Sequence, residues 1–144
     1  MTLDTANQYV EFGMGQEQYA IPIQDIHEII RVQEITRLPH TPAFVEGVIN
    51  LRGKIVPVIS LRKRFGFEDI PLTKRTRIIV INRQDEKVGV LVDHVNKVVR
   101  IHDMQAPPER LGTLNGTFFE GIGKSDNGLV SVLKLEHLFE EAGS

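Results

Sequence analysis

The sequence predicts a mostly β fold made of two small barrels, each of five strands, related by internal pseudo-symmetry. Two observations predict it: the chain repeats itself, and each copy consists of short aliphatic segments separated by turn residues. At 144 residues the chain can form one ordinary domain or two very small ones packed together. We therefore expect a single domain over residues 1–144, with approximate repeats at 8–61 and 77–135 forming two subdomains.

The repeat becomes visible when the chain is shifted against itself by 69 positions. Gln18–Val32 then lies over Lys87–Ile101, and every isoleucine of the first segment meets a valine of the second. An insertion near Leu111–Asn115 raises the offset to 74, after which Phe44–Gly47 meets Phe118–Gly121. Chance similarity among aliphatic residues does not easily explain blocks that match in the same order, so we infer a duplication.

Each copy alternates strands with turn chemistry. The strands expected in the first copy are Tyr9–Met14, Gln18–Pro22, Glu28–Val32, Val45–Asn50 and Lys54–Ser60. A brief helical turn is expected at Gln24–Ile26, and five more strands between Arg77 and Leu133. Closed barrels suit such short strands, because closure removes edges that would otherwise aggregate.

Prolines and the C-terminal pattern add two local expectations. Pro22 and Pro57 interrupt apolar strands, so they predict sheet edges or bulges. Leu135–Glu141 should form a capping helix, because Leu135, Leu138 and Phe139 recur at helical spacing.

Composition and charge narrow the possible functions. The net charge is −2, yet residues 52–77 carry eight basic and two acidic side chains. Such a segment can steer an acidic partner, or it can be a solvated loop and helix end. The chain has no cysteine and its N-terminus shows no basic start followed by an apolar stretch. We therefore expect a cytoplasmic protein without disulfides.

Catalysis finds little support in the residues. The five histidines are scattered, no serine lies in a G-x-S-x-G motif, and no paired carboxylates are evident. We expect no catalytic residue, no metal and no cofactor. Nucleic-acid binding is a disfavoured alternative, because no aromatic residues alternate with the basic ones to stack bases, and because the net charge is negative.

Protein recognition has specific support in Phe44–Val58, where the turn Asn50-Leu51-Arg52-Gly53 precedes Ile55-Val56-Pro57-Val58. This segment resembles the signature of the CheW-like family, the coupling proteins of bacterial chemotaxis. Gly89–Val95, a glycine and aliphatic stretch leading into Val-Asp-x-Val, resembles a second hallmark. The resemblance runs from about Tyr9 to Phe139, essentially the whole chain. No kinase or receiver domain accompanies it, so the stand-alone adaptors of the family match best.

The resemblance implies two five-stranded SH3-like barrels and a non-catalytic adaptor without a cofactor. Such an adaptor bridges the cytoplasmic helical tips of methyl-accepting chemoreceptors to the regulatory domain of the histidine kinase CheA. It is recruited to receptor arrays at the inner face of the membrane, without inserting into it. An adaptor of a paralogous chemosensory pathway, for example twitching motility, is the alternative.

Carried over position by position, the resemblance implies two sets of contact residues. Receptor contacts in an apolar groove between the barrels would be Val10, Ile23, Ile26, Glu28, Ile30, Arg52, Val95 and Val98. Kinase contacts on the turns would be Asn50, Arg52, Lys54, Asp126 and Gly128. Core packing is the competing explanation for each aliphatic residue, and a salt bridge within the turn is the competing explanation for Arg52.

The turn chemistry itself gives two further expectations. Asn50 should cap the turn through its side chain, and Gly53 should supply a positive φ. In the second copy, Gly123–Gly128 replaces the Asn-Leu-Arg-Gly turn. The two barrels are therefore expected to bind unlike partners.

Overall fold

The computed structural model describes residues 7–111 and 114–139. Its strands are β1 Gln8–Met14, β2 Glu17–Pro22, β3 Ile26–Arg31, β4 Val45–Leu51, β5 Lys54–Ser60, β6 Arg77–Arg83, β7 Glu86–Val92, β8 His94–Arg100, β9 His102–Gln105, β10 Arg110–Leu111, β11 Leu114–Asn115, β12 Phe119–Ser125 and β13 Gly128–Leu133. The short helices are α1 Leu61–Arg64 and α2 Leu135–Leu138, with 3-10 turns at Ile23–Asp25 and Gly116–Phe118. The prediction of a mostly β fold with short helices is confirmed.

The strands form two main sheets that mix the repeats. The six-stranded sheet has the order β8-β1-β2-β13-β12-β9, and the five-stranded sheet has the order β3-β6-β7-β5-β4. The first hairpin of the first repeat, β1–β2, lies in the sheet that holds β8, β9, β12 and β13 of the second repeat. The first hairpin of the second repeat, β6–β7, lies in the sheet that holds β3, β4 and β5 of the first. The expectation of one subdomain per repeat, 8–61 and 77–135, needs this correction. Parallel pairing of β5 with β7 and of β13 with β2 holds the exchanged hairpins in place.

The strand registers preserve the duplication. Val58 lies opposite Gly89 where β5 meets β7, and Val132 lies opposite Ala20 where β13 meets β2. These two pairs are related by the same offsets, 74 and 69, that align the sequences. The repeat read from the sequence therefore corresponds to equivalent backbone positions in the two sheets.

One continuous chain segment reaches both edges of each sheet. From β8 at one edge of the six-stranded sheet, the chain continues into β9 at the other, where Gln105 pairs with Ile122. In the five-stranded sheet the chain continues from β3 to Thr36, which bridges Val48 of β4. Pairing of this kind closes a sheet on itself, as the predicted barrels require. A specific likeness to SH3 barrels stays a prediction.

Local details differ from the sequence expectations. Eight strands instead of five follow residue 76, because β9 continues β8 and because the hairpin β10–β11 occupies the insertion. The turn expected at Gln24–Ile26 lies one residue earlier. Helix α2 ends at Leu138, and the rest of the expected helix, beyond residue 139, lies outside the described residues. Pro57 precedes the β5–β7 ladder, which starts at Val58, so its missing N–H breaks no pairing there.

The main core lies between the two sheets. It takes buried side chains from both, and Tyr19 lies at its centre with ring centroids 5.9, 5.6 and 6.2 Å from Phe12, Phe65 and Phe119. Burial raises the pKa of Tyr19 to about 12. Two smaller clusters separately fill the five-stranded and six-stranded sheets. Because most of the buried aromatic surface is shared, the two sheets are expected to stabilise each other.

Candidate protein-binding surfaces

The β4–β5 turn has the geometry that its sequence predicts. Arg52 and Gly53 form a two-residue loop with φ values of 50° and 86°, as a type I′ turn requires. The Oδ1 atom of Asn50 accepts a hydrogen bond of 2.8 Å from the Gly53 N–H. The capping role of Asn50 and the positive φ of Gly53 are both confirmed.

Arg52 forms an ion pair with Glu28 of β3. Two residues that the resemblance assigns to receptor contact are thereby joined, and the turn is connected to the neighbouring edge strand. The side chain of Arg52 remains 65% exposed and that of Glu28 27% exposed. The salt bridge proposed as the competing explanation is therefore present, yet most of the arginine is still accessible to a partner.

The equivalent turn between β12 and β13 has a different geometry. Gly128 has a φ of 116°, whereas Asp126 and Asn127 do not adopt positive φ. The Ser125 hydroxyl accepts a hydrogen bond of 3.3 Å from the Asn127 N–H and donates one of 3.2 Å to the Gly128 carbonyl. Asp126 and Gly128 are exposed, as is Lys54 at the first turn. Their contact with a kinase stays a prediction.

Both turns are followed by an exposed aliphatic residue. Ile55 is 67% exposed and Leu129 is 68% exposed, and the 74-residue offset places them at equivalent positions. We call these two residues the turn tips. A cavity of about 350 Å³ lies beside Ile55, lined among others by Lys54 and Glu86. Sequence reasoning missed both residues as surface features, although the aligned repeats had already paired them.

Exposed aliphatic residues also lie on two edge strands, β3 and β8. Ile29 is 38% exposed and Val98 is 53% exposed, and the 69-residue offset makes them equivalent. Ile26 and Val95, also equivalent, are half-buried and pack against the main core. We call these four residues the edge rows. Ile26, Val95 and Val98 belong to the predicted receptor groove, whereas Ile29 was missed.

The three other predicted aliphatic receptor residues, Val10, Ile23 and Ile30, lie outside the edge rows. Val10 of β1 pairs with Val98 of β8, but its own side chain is only 4% exposed. It therefore offers little surface area to a partner. Ile30 packs against the cluster inside the five-stranded sheet, because neighbouring side chains of a strand point to opposite faces. Ile29 therefore takes the outward place expected for Ile30. Ile23 is half-buried in a 3-10 turn that contacts both β1 and β6.

An ion pair joins elements of the two sheets. Arg62 donates from Nε and Nη2 to the two carboxylate oxygens of Asp93, at 2.8 and 2.7 Å. Asp93 lies between β7 and β8, which belong to different sheets, and it also accepts a hydrogen bond of 2.7 Å from the Gly15 N–H. Burial alone would raise the pKa of Asp93, but these hydrogen bonds outweigh it and hold that pKa below its ordinary value.

Other classes of site find no support in the described part of the chain. Within residues 7–111 and 114–139, no three histidine or carboxylate side chains come close enough to hold a metal ion. None of the helices in the same ranges is long and apolar enough to cross a membrane.

A family model described as the CheW-like domain matches residues 8–143. The chain belongs to the CheW-like family. It is 39% identical over 136 residues to the chemotaxis protein CheW of Helicobacter pylori, which covers 93% of this chain and 82% of that protein. It is 32% identical over 144 residues to CheW of Bacillus subtilis, covering 99% and 92%.

A solved CheW-like structure has the same fold. The crystal structure of the scaffolding protein TtCheW from Thermoanaerobacter tengcongensis superimposes with a TM-score of 0.89 at 40% identity, covering 99% of this chain and 93% of that one. These CheW-like relatives support a role as a chemotaxis coupling adaptor, and the solved structure is described as that of a scaffolding protein. The sequence-based identification of the family is thus confirmed.

Proposed function

We propose that this chain couples chemoreceptors to the histidine kinase CheA at the inner face of the membrane. The observation that carries the proposal is the presence of two sets of exposed aliphatic residues on a CheW-like fold, the edge rows and the turn tips. An adaptor has to bind two partners at once, so it requires two surfaces. The cavity beside Ile55 is open to solvent rather than enclosed, which favours a macromolecular partner over a small molecule there.

The edge rows suit the helical tip of a receptor. Ile29 and Val98 offer exposed aliphatic area, and Ile26 and Val95 form half-buried flanks that are held by the core. An amphipathic helix can place its apolar face on such a surface. Arg52, anchored to Glu28 beside β3, lies close enough to the same strand to contact a helix there.

The turn tips suit the CheW-like regulatory domain of the kinase. Leu129 follows the turn that carries Asp126 and Gly128, the residues expected to contact the kinase in the second barrel. Ile55 offers an equivalent apolar tip in the other sheet, next to Asn50, Arg52 and Lys54. An exposed aliphatic residue surrounded by polar turn residues is a common arrangement for a contact between two folded domains.

Two surface substitutions test the separation of these sites. We expect Val98→Asp to weaken binding to a receptor cytoplasmic fragment by about tenfold or more while leaving kinase binding unchanged. Leu129→Asp should do the opposite. Isothermal titration calorimetry with the receptor fragment and with the regulatory domain of CheA measures both affinities. Both side chains are more than half exposed, so the melting temperature should be retained.

The contrary results are equally clear. Loss of both affinities in either variant, with an unchanged melting temperature, would mean that one surface serves both partners. Absence of wild-type binding to CheA would instead favour an adaptor of a paralogous pathway. A relative with a different name, protein PilI of Pseudomonas aeruginosa, is 33% identical over 86 residues, which covers 60% of this chain and 48% of that protein.

A further inference from the structure

Two arginines extend the apolar edge rows. Arg31 follows Ile29 by two positions on β3, and Arg100 follows Val98 by two positions on β8. Residues two apart on a strand share a face, so each arginine lies on the same face as the exposed aliphatic residue before it. Arg31 and Arg100 are also equivalent under the 69-residue offset. The pattern of an exposed aliphatic residue followed by an arginine is therefore present on both edge strands.

No carboxylate of the described chain neutralises either arginine. Both side chains are exposed, and within the described ranges neither side chain forms a hydrogen bond or an ion pair. Arg31 instead lies directly opposite Arg77 on β6, and like charges opposite each other destabilise a sheet. Arg77 turns its Nη1 atom towards the carbonyls of Lys74 and Thr76, at 2.8 and 2.9 Å. Arg31 keeps its charge exposed at a position where charge is unfavourable for folding.

We propose that the helix bound by the edge rows carries carboxylates, and that Arg31 and Arg100 bind them. This inference rests on the proposed function and adds the chemistry of the partner. Residues two apart on a strand are separated by about 6.6–6.8 Å, close to the pitch of about 5.4 Å per helical turn. A helix lying along either strand can therefore place an apolar side chain on the aliphatic residue and a glutamate or aspartate one turn away on the arginine.

Arginine is well suited to this contact, because its planar guanidinium can bind both oxygens of a carboxylate. Exposed pairs of this kind are weak one by one and are screened by salt. Their main effect is on the choice and orientation of the helix rather than on the bulk of the affinity. The apolar residues provide the contact area, and the arginines select an acidic partner.

The test uses the full chain and a chemoreceptor cytoplasmic fragment, with affinities measured by calorimetry at 50 and 300 mM NaCl. We expect the double variant Arg31→Gln/Arg100→Gln to bind about fivefold to tenfold more weakly at low salt. Raising NaCl from 50 to 300 mM should weaken receptor binding by wild type more than receptor binding by the arginine variant. The matched control Lys87→Gln/Lys124→Gln removes the same charge from β7 and β12, outside the two edge strands, and should behave as wild type. Glutamine substitutions at the acidic positions of the receptor helix should weaken binding to wild type but not further weaken binding to the arginine variant.

Each contrary result has a definite meaning. If Val98→Asp abolishes binding while the arginine variant equals wild type, the inference is wrong and the proposed function stands. If the lysine control loses as much affinity as the arginine variant, the effect is one of net charge and the inference is again wrong. If wild type does not bind the receptor fragment at all, the proposed function fails and the inference fails with it.

Discussion

Arg52 occupies a left-handed turn position, and its side chain reaches across to Glu28 on β3. Positive φ is unfavourable for a residue with a Cβ, so the local backbone alone does not explain an arginine here. Its exposed ion pair contributes at most about 1 kcal/mol to stability. A carboxylate from a partner can therefore replace Glu28 at little cost, which leaves Arg52 available for binding.

Asp93 has a different role, because its ion pair with Arg62 is shielded. The two side chains are only 16% and 15% exposed, and the Gly15 N–H adds a third hydrogen bond. Asp93→Asn leaves Arg62 without its counter-charge, so we expect the free energy of unfolding to fall by about 2 kcal/mol at pH 7. Urea denaturation of the variant and of wild type measures the difference.

The pH dependence of that difference follows from the lowered pKa of Asp93. A carboxyl group whose folded pKa lies below its unfolded value stabilises the protein above the unfolded pKa, and the effect is lost as the pH falls through the folded one. The ordinary value is 3.8. The difference in free energy of unfolding between wild type and Asp93→Asn should therefore be constant from pH 7 to 5 and should become smaller below pH 3.8. A gap that stays constant down to pH 3 contradicts the assignment.

At the scale of elements, two glycines permit the closure of the sheets. A Cβ at Gly47 would lie 2.1 Å from the Thr36 carbonyl oxygen, and one at Gly121 would lie 2.5 Å from that of Gln105. Thr36 and Gln105 make the closing pairs with β4 and β12. The two glycines are equivalent at the 74-residue offset, so both barrels rely on the same device.

We expect Gly47→Ala to lower the free energy of unfolding by about 3 kcal/mol or more, because backbone must move to remove the clash. Gly53→Ala is the control: its φ is also positive, but no atom lies within 4 Å of the added carbon, so its cost should be only about 1–2 kcal/mol. Denaturant titration distinguishes the two. Equal losses would show that positive φ, and not the contact with Thr36, sets the requirement for glycine at position 47.

Sequence patterns predicted where the strands lie in the chain better than which strands pair with each other. Aliphatic runs and turn residues located β1, β2, β4 and β5 to within a residue, since these signals are local. The exchange of hairpins was not predictable from them, because the apolar pattern of β2 or of β7 does not specify which sheet the strand joins. The outward place of Ile29 was also missed: β3 begins at Ile26, two residues before the predicted start, and a bulge between Ile26 and Glu28 shifts its register.

At the scale of the whole molecule, the exchanged hairpins make the repeats interdependent. The five-stranded sheet needs β6 and β7 between β3 and β5, and the six-stranded sheet needs β1 and β2 between β8 and β13. We expect residues 1–70 alone to remain unfolded or to associate, because β5 would lack its parallel partner. Circular dichroism and sedimentation of this fragment measure the outcome. Mixing it with residues 71–144 should restore the fold, and an independently folded monomer of residues 1–70 would contradict the expectation.

The exchanged hairpins also bear on how such a chain could arise. A single repeat whose first hairpin kept the place it has here would close its barrel only with a second copy, since that hairpin lies in the other barrel. A gene that encoded such a repeat would have produced a homodimer in which two copies traded hairpins about a twofold axis. Fusion of two such genes would fix the pair in one chain and free each half to diverge. Such divergence would account for the different turn geometries at Arg52 and Asp126.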